Sequence, residues 1–353
     1  MTPIATPEQT DLDHDLAKRS RQGDSVMVAL LLAQGANARA GESLALRHAA
    51  EMGHLECLAL LIPASDPRAS LSLALRSAAK HGRVECLALL IPVSDPDAGH
   101  SDAIRWAAAN GHADCVKVLI SVSDPKAVDC QALRTAASKG HTECVKLLIP
   151  VSDPEACDSD ALKLAAAAGH AECIKLLVPV THRKTSRALL AAAGGGHAEC
   201  VKLLLPIPPL QAGDPNSLNR ALLAAVRAGH AECVKLIIPG VNLKRLGGDA
   251  LFCAVDNCQE ECFRLLLSAL MPMSAQEPAL LLAIEKGHAN VVALMISHDP
   301  LLADLIDSKK VGAEAAAKGH LALASLMLSL AESLAISTAV PPASSSPQRS
   351  ARI

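Results

Sequence analysis

Tyrosine is absent from this chain, and only Trp106, Phe252 and Phe263 are aromatic. A core without aromatic bulk must be filled by Ala, Leu, Ile, Val and Cys. That favours short helices laid closely side by side, with axes about 8–10 Å apart. An excess of either charge is missing too. The 33 basic and 36 acidic residues leave a net charge of −3, so no whole-chain field draws the protein to nucleic acid or an anionic membrane. No apolar run approaches the roughly 20 residues that cross a bilayer. The opening MTPIATPEQTDLDHD is polar and acidic, with no basic region ahead of an apolar stretch, so no secretory leader is expected. No phosphate-binding glycine loop, Ser/His/Asp set or paired carboxylates stand out, and neither a catalytic residue nor a cofactor is expected.

What the chain has in abundance is itself. GHTECVKLLIPVSDP from Gly140 returns as GHAECIKLLVPV from Gly169 and GHAECVKLIIPG from Gly229. The leading glycine falls at 53, 82, 111, 140 and 169, a period of 29, and again at 196, 229, 287 and 319, with Cys258 in its place once. A period in this range means a stack of small supersecondary units rather than one enclosed globule. Such stacks offer long surfaces to partners.

Eight of the 12 cysteines occupy one position of the repeat: Cys57, Cys86, Cys115, Cys144, Cys173, Cys200, Cys233 and Cys262. Equivalent positions in stacked helices lie about one packing distance apart, beyond the Cα separation of about 7 Å that a disulfide allows. Each sits in an apolar stripe, where a reduced thiol acts as a small hydrophobe. Core packing and a reducing compartment are expected.

In residues 129–154, Asp129 or Gln131 opens a short helix, ALRTAASKG, which Gly140 ends in a left-handed conformation. A second helix starts at His141 and Thr142, with Thr142 as its expected N-cap. Cys144, Val145, Leu147, Leu148 and Ile149 form its apolar face. Pro150 breaks it, and VSDPEACDSD is a turn-rich connector. Each repeat therefore reads helix, tight turn, helix, loop.

This pattern resembles the ankyrin repeat. RQGDSVMVALLLAQGANARA, from Arg21 to Ala40, carries the resemblance most clearly, and later repeats keep AA-x-x-GH-x-E-x-V-K-LL. The resemblance covers about eleven units and implies an all-α helix-turn-helix solenoid of ankyrin type, slightly curved. The family's TPLH opening is replaced by ALR, and the period is 29 rather than about 33 residues. The shortfall lies in the connector, so a tight SDP loop is expected in place of a projecting β-hairpin. The expected boundaries are a flexible 1–11, a solenoid over 12–332, and a disordered Pro/Ser-rich tail over 333–353. The long connector between Leu204 and Ser217 is expected to bend or divide the stack, with one domain and a local kink as the preferred reading.

The recurring histidines (His54, His112, His141, His170, His197, His230, His288, His320) are too widely spaced for one metal ion and read as braces of the turn. Cys253, Cys258 and Cys262 lack a fourth ligand and a paired motif, so no metal is expected there. The third position of ALR gives Arg47, Arg76, Arg105, Arg134 and Lys163, then Leu190, Leu223, Phe252 and Leu281. Two readings of this basic row stand side by side. Either each cation pairs internally with a nearby carboxylate, or the row is a binding stripe for an acidic partner. Trp106 shares its helix position with His48, Ser77, Thr135, Leu164 and Ala191, a tolerance that marks an exposed site. It is read as an interface anchor or as packing between repeats.

The resemblance implies a non-catalytic scaffold that binds a protein partner along the first helices and loop edge. The partner-binding candidates are Arg47, Arg76, Arg105, Trp106, Arg134 and Lys163. A cytoplasmic monomer with no nucleic acid or membrane partner is expected. Near-identical repeats and a Ser/Thr/Pro-bearing start fit a second reading, a bacterial effector delivered into a host cell to capture a host protein. An enzyme or regulator with its chemistry in the irregular segments is the third.

Overall fold

A computed structural model describes residues 7–181, 185–206, 216–269 and 276–339. Eleven helix pairs lie among them, and no strand. The first repeat pairs Pro7–Gln22 with Ser25–Ala33, and the eleventh pairs Ser308–Ala317 with Leu321–Ala339. The first helix thus begins ahead of the expected boundary at 12, and the last runs past 332. Most of the Leu204–Ser217 connector, residues 207–215, and the tail after 339 lie outside the described residues.

The chain forms two compact bodies, Met1–Leu218 and Asn219–Ile353. The first holds repeats one to seven, and the division falls at the start of the eighth repeat's first helix, Ser217–Ala228.

In the fifth repeat, the first helix (Ala127–Lys139) buries Ala132, Leu133, Ala136 and Ala137. Three alanines beside one leucine on that face let the neighbouring first helices approach closely. The second helix, Thr142–Leu148, buries Cys144, Val145 and Leu148. All eight ladder cysteines are at most 2% exposed, and all 12 are free thiols. Burial pushes Cys115, Cys144 and Cys262 up to about 11, with the adjacent Asp114, Glu143 and Glu261 adding to the effect.

Gly140 ends the first helix at φ 75°, ψ 21°. The residue that caps the second helix is His141 (φ −79°, ψ 77°), not Thr142. Thr142 is the first helical residue, and its hydroxyl turns back to the Gly140 carbonyl at 3.4 Å. The second helix stops at Leu148, and Pro150 sits in a single 3₁₀ turn, Ile149–Val151.

The connector is the tight loop expected. The SDP aspartate accepts a hydrogen bond from the backbone N–H two residues on, as from Arg68 to Asp66, Asp97 to Asp95 and Lys126 to Asp124. Three consecutive residues then follow in left-handed conformation: Gly41–Ser43, Ser70–Ser72, Gly99–Ser101 and Val128–Cys130. For a residue with a Cβ this costs about 1–2 kcal/mol, and Val128, at φ 51°, is β-branched. The third residue of each turn offsets part of that cost. Buried Ser43 accepts the N–H of Asp66 at 2.9 Å, Ser72 that of Asp95 at 2.9 Å, and Ser101 that of Asp124 at 3.2 Å. Cys130 Sγ does the same for Asp153. Each loop is thus hydrogen-bonded to the next.

Candidate interaction surface

On each first helix the row cation follows two core residues, as Arg47 follows Ala45 and Leu46, so its stem leans on the core while its head reaches the surface. Two aspartates organise the heads. Asp102 takes Nη1 of Arg76 on one oxygen at 2.7 Å and Nη1 of Arg105 on the other at 2.9 Å. Asp160 takes Nη2 of Arg134 at 3.5 Å and Nζ of Lys163. Arg76 also donates to the Ser70 carbonyl at 2.9 Å, and Arg105 to that of Gly99 at 3.3 Å, tying the left-handed turns to the ladder. The internal pairing weighed for this row is therefore present in four of its five members.

Arg47 differs. The residues that would match Asp102 around it are Leu44 and Leu73, and it forms no ion pair or hydrogen bond among the described residues. Nε of Arg76, Arg105 and Arg134 also meets no acceptor. Trp106 is 43% exposed, and Lys80 Nζ, on the preceding repeat, stands 5.4 Å above its ring centroid, a cation–π contact. Over the right-handed parts of the first helices of repeats two to six there are seven cations: Arg47, Arg76, Lys80, Arg105, Arg134, Lys139 and Lys163. Three carboxylates accompany them: Glu51, Asp102 and Asp160. The left-handed turns ahead of these helices add acids of their own, of which Glu42 is held by the Ser70 hydroxyl, while Asp129 acts electrostatically on the Cys157 thiol beside Arg134.

The sequence reading missed Asp102, Asp160 and Lys80. The signal was present for the aspartates, because each stands three residues before a row cation on the same helix. The lysines of the second helices are simpler. Lys146, Lys175 and Lys202 reach Glu143, Glu172 and Glu199 at 4.0, 2.7 and 3.8 Å, with every partner at least half exposed.

In the second body, Phe252 (37% exposed) and Leu281 (58%) stand where the first body carries cations. Arg227, Phe252, Cys253, Asp256, Asn257 and Leu282 line an open cleft of about 400 Å³.

The turn histidines brace neighbouring repeats. Nε2 donates to the carbonyl of the previous first helix: His54 to Arg21, His112 to Lys80, His141 to Ala109, His170 to Ser138 and His197 to Ala167, at 2.9–3.2 Å. Arg83 replaces one of them and reaches the Glu51 carbonyl through Nε. His288 departs from this pattern. The Sγ of Cys258 lies 3.4 Å from its Nδ1, and its Nε2 finds no partner. Cys253 is half-buried and Cys262 buried, so the three neighbouring thiols occupy three different environments.

Comparison with known proteins gives the following. The family described as ankyrin repeats (3 copies) matches residues 104–188, 133–214, 162–243 and 188–275, and that described as ankyrin repeats (many copies) matches 74–120. Among solved structures, the human ASB11 ankyrin repeat domain is similar at 24% identity and a TM-score of 0.48. The match covers 57% of this chain and 99% of that one. No curated protein matches.

Proposed function

Since the chain belongs to the ankyrin-repeat family, we propose that it is a non-catalytic scaffold that holds a protein partner across the first helices of its N-terminal body. One observation carries this reading. A row of cations with only two carboxylates between five of them runs through consecutive repeats, and an exposed tryptophan stands beside it. Arginine and tryptophan are the residues most often found at the energetic centre of interfaces. The partner presents an acidic surface, contacted by Arg47, Arg76, Arg105, Arg134 and Lys163, with Trp106 as the apolar anchor. The protein works as a monomer in a reducing compartment, to which a chain with 12 free thiols is suited.

The test is affinity capture from a cell lysate with wild type and with a variant changed at Arg47, Lys80 and Trp106. None of these three forms an ion pair with a carboxylate among the described residues. Circular dichroism first establishes that both proteins are equally helical. A partner held by wild type and released by the variant supports the reading. A partner held equally by both moves the site to the loops, the second helices or the second body, and the proposed surface is then wrong.

A further inference from the structure

We propose that the partner segment is an extended acidic stretch of chain with a carboxylate at every third residue, laid across repeats two to six in register with the cation row. This rests on the reading of the first-helix surface given above and adds its chemistry and spacing.

Successive row cations sit on adjacent packed helices, whose axes are about 8–10 Å apart. An extended chain in the polyproline II conformation rises about 3.1 Å per residue and completes a turn every three, so three residues advance it by about one repeat and return the same face to the row. Carboxylates at that interval meet Arg47, Arg76, Arg105, Arg134 and Lys163 in turn, and five of them span a segment of about 13 residues. A straight helical partner returns nearly the same face only every seven residues, and that face drifts by about 20° each time, so it turns off the row over five repeats.

The charges leave room for such a ligand. Arg47 has no carboxylate, Lys80 has only the Trp106 ring and Lys139 stands exposed. Asp102 and Asp160 each divide one charge between two cations. The acids of the left-handed turns lie ahead of the helices, away from Lys80 and Lys139 at their C-terminal ends. Trp106 stands at the middle repeat of the five, where an apolar residue between two carboxylates would cover its ring.

Two labelled synthetic peptides of identical composition test this against the full-length chain by fluorescence anisotropy at low and at physiological salt. One carries Glu at every third position, and the other carries the same glutamates in two blocks. The spaced peptide is expected to bind at least about fivefold more tightly, with an affinity that falls as salt rises. Replacing Arg47, Lys80 and Lys139 together by Ala is expected to weaken binding of the spaced peptide without loss of helicity. Asp102→Asn frees two guanidinium groups and is expected to tighten the spaced peptide, although it weakens the fold. A purely structural ladder predicts no such gain. Equal binding of the two peptides would overturn the register while leaving an acidic partner in place. Binding of neither would overturn the acidic partner as well.

Discussion

His170 lies where a side chain on Gly140 would have to be. Its Nε2 donates to the Ser138 carbonyl at 3.1 Å, and its Nδ1 is 2.6 Å from the point a Cβ on Gly140 would occupy. The same relation joins Gly82 to His112, Gly111 to His141 and Gly169 to His197. The glycine is thus required twice, for its positive φ and for the ring packed over it.

Gly140→Ala is therefore expected to destabilise the protein by more than a left-handed alanine alone. About 1–2 kcal/mol comes from the backbone, and displacing the ring leaves a hydrogen bond unmade, which costs about 1–3 kcal/mol. Urea denaturation of Gly140→Ala, His170→Ala and the double variant checks this. Losses that simply add would show that the glycine and the histidine do not share one space.

Cys258 makes the opposite experiment possible. It holds the glycine's place at φ 57°, and His288 has lost its carbonyl partner. Cys258→Gly is expected to stabilise the protein by about 1 kcal/mol or more, by relieving the left-handed cysteine and letting His288 return to the brace. A rise in the thermal midpoint is the readout. An unchanged or lower midpoint would mean that the thiol–imidazole contact compensates for both.

Asp102 faces two guanidinium groups and is 18% exposed. Asp102→Asn should cost about 1–3 kcal/mol, because two half-buried cations lose their shared acceptor charge. Glu143→Gln on the exposed second helix should cost a few tenths of a kcal/mol. Equal losses in the two denaturation curves would show that the ladder pairs are solvated like the others.

The buried thiols set an alkaline limit. A thiol at about 11 in the folded chain, against 9.0 when unperturbed, stays protonated while its unfolded counterpart ionises. Its contribution is complete below pH 9 and is lost as pH rises towards 11. With no tyrosine to titrate in the same range, the urea midpoint measured from pH 8 to 11 should fall. Cys144→Ala should make that fall shallower. A parallel curve would mean the thiols are not its source.

The period, the turn glycine and the buried cysteine row were all legible in the sequence, because each depends on residues close together in one repeat. Two features were not. No glycine marks Ser70–Leu71–Ser72 or Val128–Asp129–Cys130, so nothing local signalled three left-handed residues in a row. That conformation is held by a hydrogen bond 23 residues away, from Asp95 to Ser72 and from Asp153 to Cys130. Likewise, the basic row could be read as paired or as free until the stacking distance placed Asp102 between Arg76 and Arg105. Trp106 was legible as exposed because its position tolerates His48, Ser77 and Ala191, but its contact with Lys80 lies between repeats.

Asp102 belongs to the fourth repeat and Asp160 to the sixth, and each serves its own cation and that of the repeat before. Along this stretch the electrostatic unit is therefore two repeats long, although the packing unit is one. A copy of repeat five alone, inserted after it, would leave a cation without a carboxylate, because Arg134 draws its partner from the next repeat. Repeats five and six copied together would keep every pair, so this surface lengthens without loss when the carboxylate-bearing repeat is copied with it.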